Sequence, residues 1–132
     1  MAATFTSPNQ KRSEFANRCV IDAYGSSDKF SDYRNMAKSA PALIMQSGLI
    51  PTLTYIMSRK NNPDKVALGK DIFKWLRETN YVKSIEIPKA FGELFELSSD
   101  RYIDATQETF ELLTWLRQLS DFYSTNSRGE RR

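Results

Sequence analysis

The side chains of this chain that could do chemistry are chiefly carboxylates, which recur at intervals of three and four residues over positions 93–111. This spacing places them along one side of an α-helix, where grouped carboxylates could hold a divalent cation. Because the sequence contains no histidine to complete a di-iron pattern, we favour a solvated helix face over a metal site. An acidic contact surface for a basic partner is a third interpretation. The series comprises Glu93, Glu96, Asp100, Asp104, Glu108 and Glu111.

No other combination of residues resembles a catalytic site. The sequence has no histidine to act as a base, and its five glycines are too scattered to form a phosphate-binding loop. The single cysteine, Cys19, excludes an internal disulfide and lies among apolar positions of a predicted helix, which favours a buried structural thiol over a reactive one. We therefore expect a protein that is not an enzyme, uses no cofactor and binds no metal.

Basic side chains concentrate in the first half of the chain. Residues 1–65 carry nine Lys and Arg against five Asp and Glu, a net charge of +4, whereas residues 66–132 carry ten against eleven, a net charge of −1. Lys11 and Arg18 lie seven residues apart and share an outer face of the first predicted helix. Arg34 and Lys38 lie one turn apart on the second, with stems that cover apolar surface and charged ends that we expect to emerge together into solvent.

Helical periodicity and helix-start signals place these residues in an all-α, single-domain bundle of five to six helices. Four of the five prolines stand where a helix is predicted to begin. Helices are predicted over residues 8–25, 30–48, 51–59, 63–79, 88–97 and 100–123, with an ordered loop over residues 80–87. Trp75 lies beside the apolar stripe of the fourth helix, where it could belong to an interface with a partner or be half-buried at the surface, and we favour the half-buried position. Phe95 is placed inward on the fifth helix.

The stretch over residues 33–59 organises the rest of the bundle. Tyr33, Ala37 and Ile44 belong to the buried stripe of the second helix. Pro41 lies inside that helix, where it removes one backbone hydrogen bond, so we predict a kink there. Gly48 then ends the helix in a backbone conformation that favours glycine.

The composition indicates how many domains the chain forms and in which compartment of the cell it is expected. With 132 residues, 40% of them hydrophobic, the chain can build a single core. We predict one helical domain over residues 1–123 and a disordered basic tail over residues 124–132, because the tail contains no apolar residue. No apolar run approaches the roughly 18–20 residues that cross a bilayer, and residues 1–8 do not resemble a signal peptide. A cytoplasmic protein without membrane contact is expected.

Two segments of the chain resemble a known family. The first is Tyr33-Arg34, Ala37-Lys38, Pro41-Ala42-Leu43-Ile44 and Gln46-Ser47-Gly48-Leu49; the second runs from Thr109 to Arg117, TFELLTWLR. Both are similar to segments of the small subunit of type III-B CRISPR effector complexes, the Cmr class of RNA-guided, RNA-targeting assemblies. The likeness spans most of residues 8–123. It departs at Ser47, where the family usually has asparagine, and at Ile50-Pro51, which replaces a step that commonly contains glycine.

The resemblance implies a non-catalytic protein of an antiviral complex. Small subunits of this family are helical, stack in a short filament beside the backbone and large subunits, and line the channel in which the guide RNA pairs with the target RNA. The implied partners are therefore backbone and large subunits, further copies of this chain, and the guide RNA–target RNA duplex. Six basic residues would contact the phosphates of this RNA duplex, independently of base sequence. They are Lys11, Arg18, Arg34, Lys38, Arg59 and Lys60. For each of these, a solvated surface charge is the alternative.

A helix-turn-helix regulator that binds DNA is the competing hypothesis, because Gly48 lies in a tight turn between two predicted helices. Such a module reads base edges with polar side chains at the start of its second helix. Here that start contains Leu49, Ile50 and Leu53. Apolar residues at this position belong in a core, which disfavours the hypothesis.

Overall fold

Six α-helices and no strand make up the part of the chain that the structure, a computed structural model, describes: residues 7–26 and 29–130, with side chains to residue 125. The all-α prediction is confirmed. The helices are α1 (Pro8–Ser26), α2 (Phe30–Ser47), α3 (Leu49–Met57), α4 (Pro63–Glu78), α5 (Ile87–Phe95) and α6 (Ser99–Glu130).

Local signals set the starts of these helices. At α1, the Gln10 backbone N–H donates to the Ser7 hydroxyl at 3.1 Å, while the Ser7 N–H donates to the Gln10 side chain at 2.8 Å. This reciprocal pair satisfies two amides that the first turn leaves free. At α4, the Lys65 N–H donates to the Asn62 side chain at 3.2 Å, and Pro63 begins the helix.

A tight corner joins α2 to α3 at Gly48, whose φ of 97° is a value that residues with a Cβ rarely adopt. The helix α3 begins at Leu49, not at Pro51 as predicted. The Ile50 N–H donates to the Tyr102 hydroxyl of α6 at 3.0 Å, which holds the corner in place. Leu49 and Leu53 are fully buried, so the start of α3 faces the core. A DNA-reading role for this helix is therefore not favoured.

The helix α2 continues without interruption through Pro41 to Ser47. A proline in this place leaves the carbonyl of Ala37 without its usual partner in the helix. The kink predicted at Pro41 stays a prediction.

The longest helix, α6, packs against α1 in parallel. The Trp115 indole N–H donates to Asn9 at 3.0 Å, and the Tyr123 hydroxyl donates to Asn17 at 3.0 Å. Both pairs are separated by 106 residues in the sequence. A constant separation means that the two helices run in the same direction.

The helix α2 also packs against α6, and it runs antiparallel to it. Arg34 lies near the start of α2 and contacts Asp121, which lies in the second half of α6. Ile50, just beyond the end of α2, contacts Tyr102 in the first turn of α6. The core between α6 and its neighbours contains Phe15, Val20, Tyr33, Leu53, Leu68, Phe73, Leu76, Leu112, Leu113 and Leu116.

Residues 80–86 form an ordered loop, as predicted, and it leads into α5. Its backbone is held by Glu93, whose carboxylate accepts hydrogen bonds from the Lys83 N–H at 2.7 Å and the Ser84 N–H at 3.1 Å. The inward placement of Phe95 was wrong, since its side chain is 69% exposed. Leu94 and Ala90 already fill the inner face of this short helix.

The helix α6 extends past its predicted end at Tyr123 to Glu130. The predicted disorder of residues 124–132 in solution and the domain boundary at residue 123 stay predictions. None of the six described helices combines the length and the apolar character needed to span a bilayer.

Candidate nucleic-acid interface

Three helices meet at a buried ion pair that was not predicted from the sequence. Arg12 of α1 is 6% exposed. Its guanidinium donates to both carboxylate oxygens of Glu108 on α6, at 2.6 and 3.1 Å, and the Trp75 indole N–H of α4 donates to the same carboxylate at 2.8 Å. Burial opposes the ionisation of Glu108, but the hydrogen bonds from Arg12 and Trp75 outweigh it and hold its pKa below the ordinary value. This pair positions α1 and α4 on α6.

The carboxylate series therefore has two kinds of members. Glu108 and Glu93 accept structural hydrogen bonds, so the interpretation of a solvated face was wrong for these two. Glu96, Asp100 and Asp104 are exposed. Within residues 7–26 and 29–125, no three side chains of His, Cys, Asp or Glu are grouped closely enough to hold a metal ion.

The half-buried placement of Trp75 was also wrong, because its side chain is buried. The reason is the partner Glu108, which lies 33 residues away in the sequence. The Trp75 ring also packs on Phe15 of α1, with ring centroids 4.8 Å apart. Neither contact is visible in the helical pattern of α4 alone.

Lys11 and Arg18 are brought together, as their spacing predicts. Both are exposed and line one open groove of about 770 Å³ between α1, the end of α4 and α6. Acidic side chains share the lining, among them Glu14 and Glu78. The groove therefore has little net charge, even though two of the predicted phosphate-binding residues lie in it.

Arg34 and Lys38 also lie together, but they share an internal partner. The Asp121 carboxylate of α6 lies 2.6 Å from Arg34 Nε and 3.8 Å from Lys38 Nζ. The hydrogen bond from Arg34 is the main cause of a lowered pKa of Asp121, and the charges of Lys38 and Arg117 add to it. The Arg34 side chain is 23% exposed, so the prediction that both charged ends emerge freely into solvent was wrong for Arg34.

Together these residues form what we call the α2–α6 basic cluster: Arg34, Lys38, Arg117 and Asp121. Three cations around one carboxylate leave a net charge of +2. Arg117 lies one turn before Asp121 on α6 and is exposed. It was not among the residues predicted to bind phosphate, because its closeness to Arg34 depends on how α2 packs on α6.

Arg59 and Lys60 lie where α3 ends. The Arg59 guanidinium stacks on the Tyr55 ring at 4.2 Å from its centroid, and its Nε is buried without a hydrogen-bond partner. Lys60 is exposed. Among the described side chains, no carboxylate forms an ion pair with Arg59 or Lys60.

The six predicted residues consequently occupy three separate surfaces. The turn that follows Lys60 is tied to α2 by the Asn62 side chain, which donates to Asp32 at 3.3 Å. Asp32 and Arg34 are two residues apart on a helix and point in directions about 200° apart. Arg59 and Lys60 therefore lie on a different side of α2 from the α2–α6 basic cluster. The groove with Lys11 and Arg18 is the third surface.

An aromatic cluster, Tyr24, Phe30, Phe122 and Tyr123, lies where α1 ends, α2 begins and α6 passes both. Ring centroids are 5.2 Å apart for Tyr24 and Phe30, 6.1 Å for Tyr24 and Tyr123, and 5.2 Å for Phe122 and Tyr123. Phe122 is 55% exposed and Tyr24 39%. The sequence shows that all three helices carry aromatic residues, but it does not predict that their rings are in contact.

Asp71, a partly buried carboxyl group, lines a separate pocket of about 310 Å³ between α1 and α4. The Tyr33 hydroxyl donates to the Asp71 carboxylate at 2.7 Å. Burial raises the pKa of Asp71 from 3.8 to about 6, and it raises the pKa of the neighbouring Cys19 thiol as well. Cys19 is buried, which confirms its placement in the core and makes it a poor nucleophile.

Two comparisons with known proteins bear on this arrangement. The family model described as CRISPR-associated protein (Cas_Cmr5) matches residues 8–123. A crystal structure of a CRISPR-associated Cmr5 family protein from Thermus thermophilus superposes with a TM-score of 0.74 at 22% sequence identity, over 89% of this chain and 96% of that one. The shared fold and the family match confirm the resemblance to the small helical subunit of type III-B complexes. This chain belongs to the Cmr5 family of CRISPR-associated proteins.

Proposed function

We propose that this protein is a non-catalytic small subunit of a type III-B CRISPR effector complex in the cytoplasm. Copies of the chain would stack in a filament and line the channel in which the guide RNA pairs with the target RNA. The observation that carries the RNA role is the α2–α6 basic cluster, which presents a net charge of +2 on one surface. Such a surface suits phosphate contacts that do not depend on base sequence.

The absence of catalysis is supported by the chemistry of the residues. The sequence contains no histidine. The partly buried Asp71 accepts a hydrogen bond from Tyr33, and Arg12 and Glu108 are paired with each other by two hydrogen bonds. These polar groups stabilise the bundle, so the chemistry of the complex would reside in other subunits.

The acidic second half of the chain would meet the positive surface of a neighbouring subunit. Glu96, Asp100 and Asp104 are exposed around the corner between α5 and α6, and the exposed apolar side chains Phe95 and Ile103 lie beside them. Opposite charges at such a contact set register more than affinity. We assign this corner to protein contact and the basic cluster to RNA.

The experiment is a reconstitution of the complex with the double variant Lys38→Gln and Arg117→Gln. Both side chains are exposed, so the fold should be unaffected. Arg34 is left in place, because it holds α2 to Asp121. Loss of two phosphate contacts should weaken target-RNA binding and flatten the dependence of log affinity on log salt by about one to two units.

A matched control is the double variant Lys83→Gln and Lys89→Gln, which removes two exposed cations next to and within α5. It should leave RNA affinity and salt dependence unchanged. Equal affinity and slope for the basic-cluster variant, in a normally assembled complex, would show that these residues are ordinary surface charges.

A further inference from the structure

The exposed rings of the aromatic cluster are held rigidly. Phe122 packs edge-on against Tyr123, at an interplanar angle of 81°. Tyr123 is in turn fixed by its hydroxyl, which donates to Asn17 of α1 at 3.0 Å. Tyr24 contacts Tyr123 on one side and the Phe30 ring at 90° on the other. A ring fixed in this way loses little conformational entropy when a ligand stacks on it.

The cluster also lies next to positive charge. Phe122 follows Asp121 directly on α6, so their Cα atoms are about 3.8 Å apart and their side chains diverge by about 100°. Asp121 is the partner of Arg34 and Lys38 and lies close to Arg117. The exposed ring and Asp121 are therefore neighbours on α6, whereas Arg117, five residues before Phe122, points about 140° away from it.

We propose that Phe122, supported by Tyr24 and Tyr123, is a stacking platform for an unpaired RNA base whose flanking phosphate contacts Lys38. This inference rests on the proposed function and extends it from phosphate contact to base contact. Cationic grooves with exposed aromatic rings are the usual means of binding single strands, because every base has a π-face and stacks without sequence preference.

Charge favours RNA over an apolar protein partner as the occupant. The neighbouring α2–α6 basic cluster carries a net charge of +2, so the occupant must present negative charge next to the group that packs on Phe122. A base with its phosphates supplies a flat ring and negative charge within one nucleotide. The two surfaces of this site match those two parts.

The test compares two ligands and two kinds of variant, using the full chain at low salt. The ligands are a fluorescently labelled oligoadenylate and an abasic oligonucleotide of the same length, which has the same phosphates but no bases. The wild-type protein should bind oligoadenylate at least about 5-fold more tightly. Phe122→Leu, which keeps an apolar side chain without a π-face, should abolish this preference, and Phe122→Trp should retain it.

The charge variant, Lys38→Gln with Arg117→Gln, is the matched control. It should weaken both ligands equally and flatten the salt dependence, whereas Phe122→Leu should leave the salt dependence unchanged. Binding of oligoadenylate by Phe122→Leu at wild-type affinity would overturn the stacking platform alone. Loss of complex assembly with that variant, without loss of base preference, would assign the ring to a protein contact instead. If neither ligand binds the wild-type chain, both the platform and the phosphate surface are wrong.

Discussion

Asp71 is a carboxyl group whose surroundings disfavour its charged form. It lies between α1 and α4, with the Tyr33 hydroxyl as donor and the thiol of Cys19 close by, and Lys74 is the nearby cation. Burial is the largest influence and raises its pKa from 3.8 to about 6. The folded state therefore binds a proton that the unfolded chain releases between about pH 4 and pH 6. Stability from this group is present below that window and is lost as the pH rises through it.

Replacement of Asp71 by asparagine should remove this pH dependence. Each pKa unit corresponds to about 1.4 kcal/mol, so the wild-type free energy of unfolding should fall by ~2–3 kcal/mol from this group between pH 4 and pH 6. Asp71→Asn keeps an acceptor for Tyr33, and it should match the wild type at pH 4 and be ~2–3 kcal/mol more stable at pH 7. Urea denaturation across this range measures the difference. Glu78→Gln, an exposed change at the same pocket, is the control and should parallel the wild type. An Asp71→Asn variant that parallels the wild type at every pH would contradict the prediction.

Individual residues also show which features can be predicted from the sequence and which cannot. The burial of Cys19 follows from its place in an apolar stripe, because that stripe belongs to one helix. The pair of Arg12 and Glu108 joins residues 96 positions apart, and no local pattern distinguishes Arg12 from its exposed neighbour Lys11. Which of two adjacent cations is buried depends on the carboxylate that another helix brings to it.

At the scale of helices, α3 and α4 cross at Gly69. A Cβ atom built there would lie 2.5 Å from Met57 Sδ and 2.9 Å from Ile56 Cγ2. Contacts this short cannot persist, and Ile56 is fully buried. The glycine thus allows the close approach of the two helices, at the cost of about 1 kcal/mol in helix propensity relative to alanine.

Alanine at Gly69 should therefore destabilise the protein although alanine is the better helix former. We expect Gly69→Ala to lower the free energy of unfolding by ~1–3 kcal/mol, the usual cost of overpacking. A Cβ atom added to Gly92 in α5 would meet no other atom within 4 Å, so Gly92→Ala should raise stability by up to ~1 kcal/mol. Thermal and urea denaturation of both variants provide the measurement. A stabilising Gly69→Ala would show that α3 and α4 separate easily.

Helix starts could be predicted better than helix ends or angles. Pro8 and Pro63, each preceded by a capping side chain, begin helices where predicted. The start of α3 was displaced by two residues, because the corner at Gly48 is completed by Tyr102 of α6 and not by Pro51. Start signals lie within one turn of sequence, whereas the corner depends on a residue 52 positions away.

At the scale of the whole molecule, the charged side chains lie on several separate surfaces. The basic first half does not form one face, since its six predicted residues lie on three surfaces. The α2–α6 basic cluster also includes Arg117 from the acidic half. The charge difference between the halves of the sequence therefore does not show where the charged surfaces of the folded protein lie.

The corner between α5 and α6 should act in assembly and not in stability. Phe95 and Ile103 are 69% and 63% exposed, so changing them to serine should alter the free energy of unfolding by no more than about 0.5 kcal/mol each. In the assembled complex these side chains would be buried against a positive surface, where apolar area contributes about 25 cal/mol per Å². The double variant should therefore fold normally and be recovered with the other subunits in reduced amount.

Co-purification of tagged protein with the remaining subunits measures this outcome. Met45→Ser is the matched control, because Met45 is an exposed apolar residue on α2, away from the exposed carboxylates. It should leave recovery unchanged. A further variant, Asp100→Lys with Asp104→Lys, should lower recovery as well, because it would place like charges opposite each other at the contact. If the serine and lysine variants both assemble as the wild type does, the subunit contact lies elsewhere and the exposed carboxylates are an ordinary solvated surface.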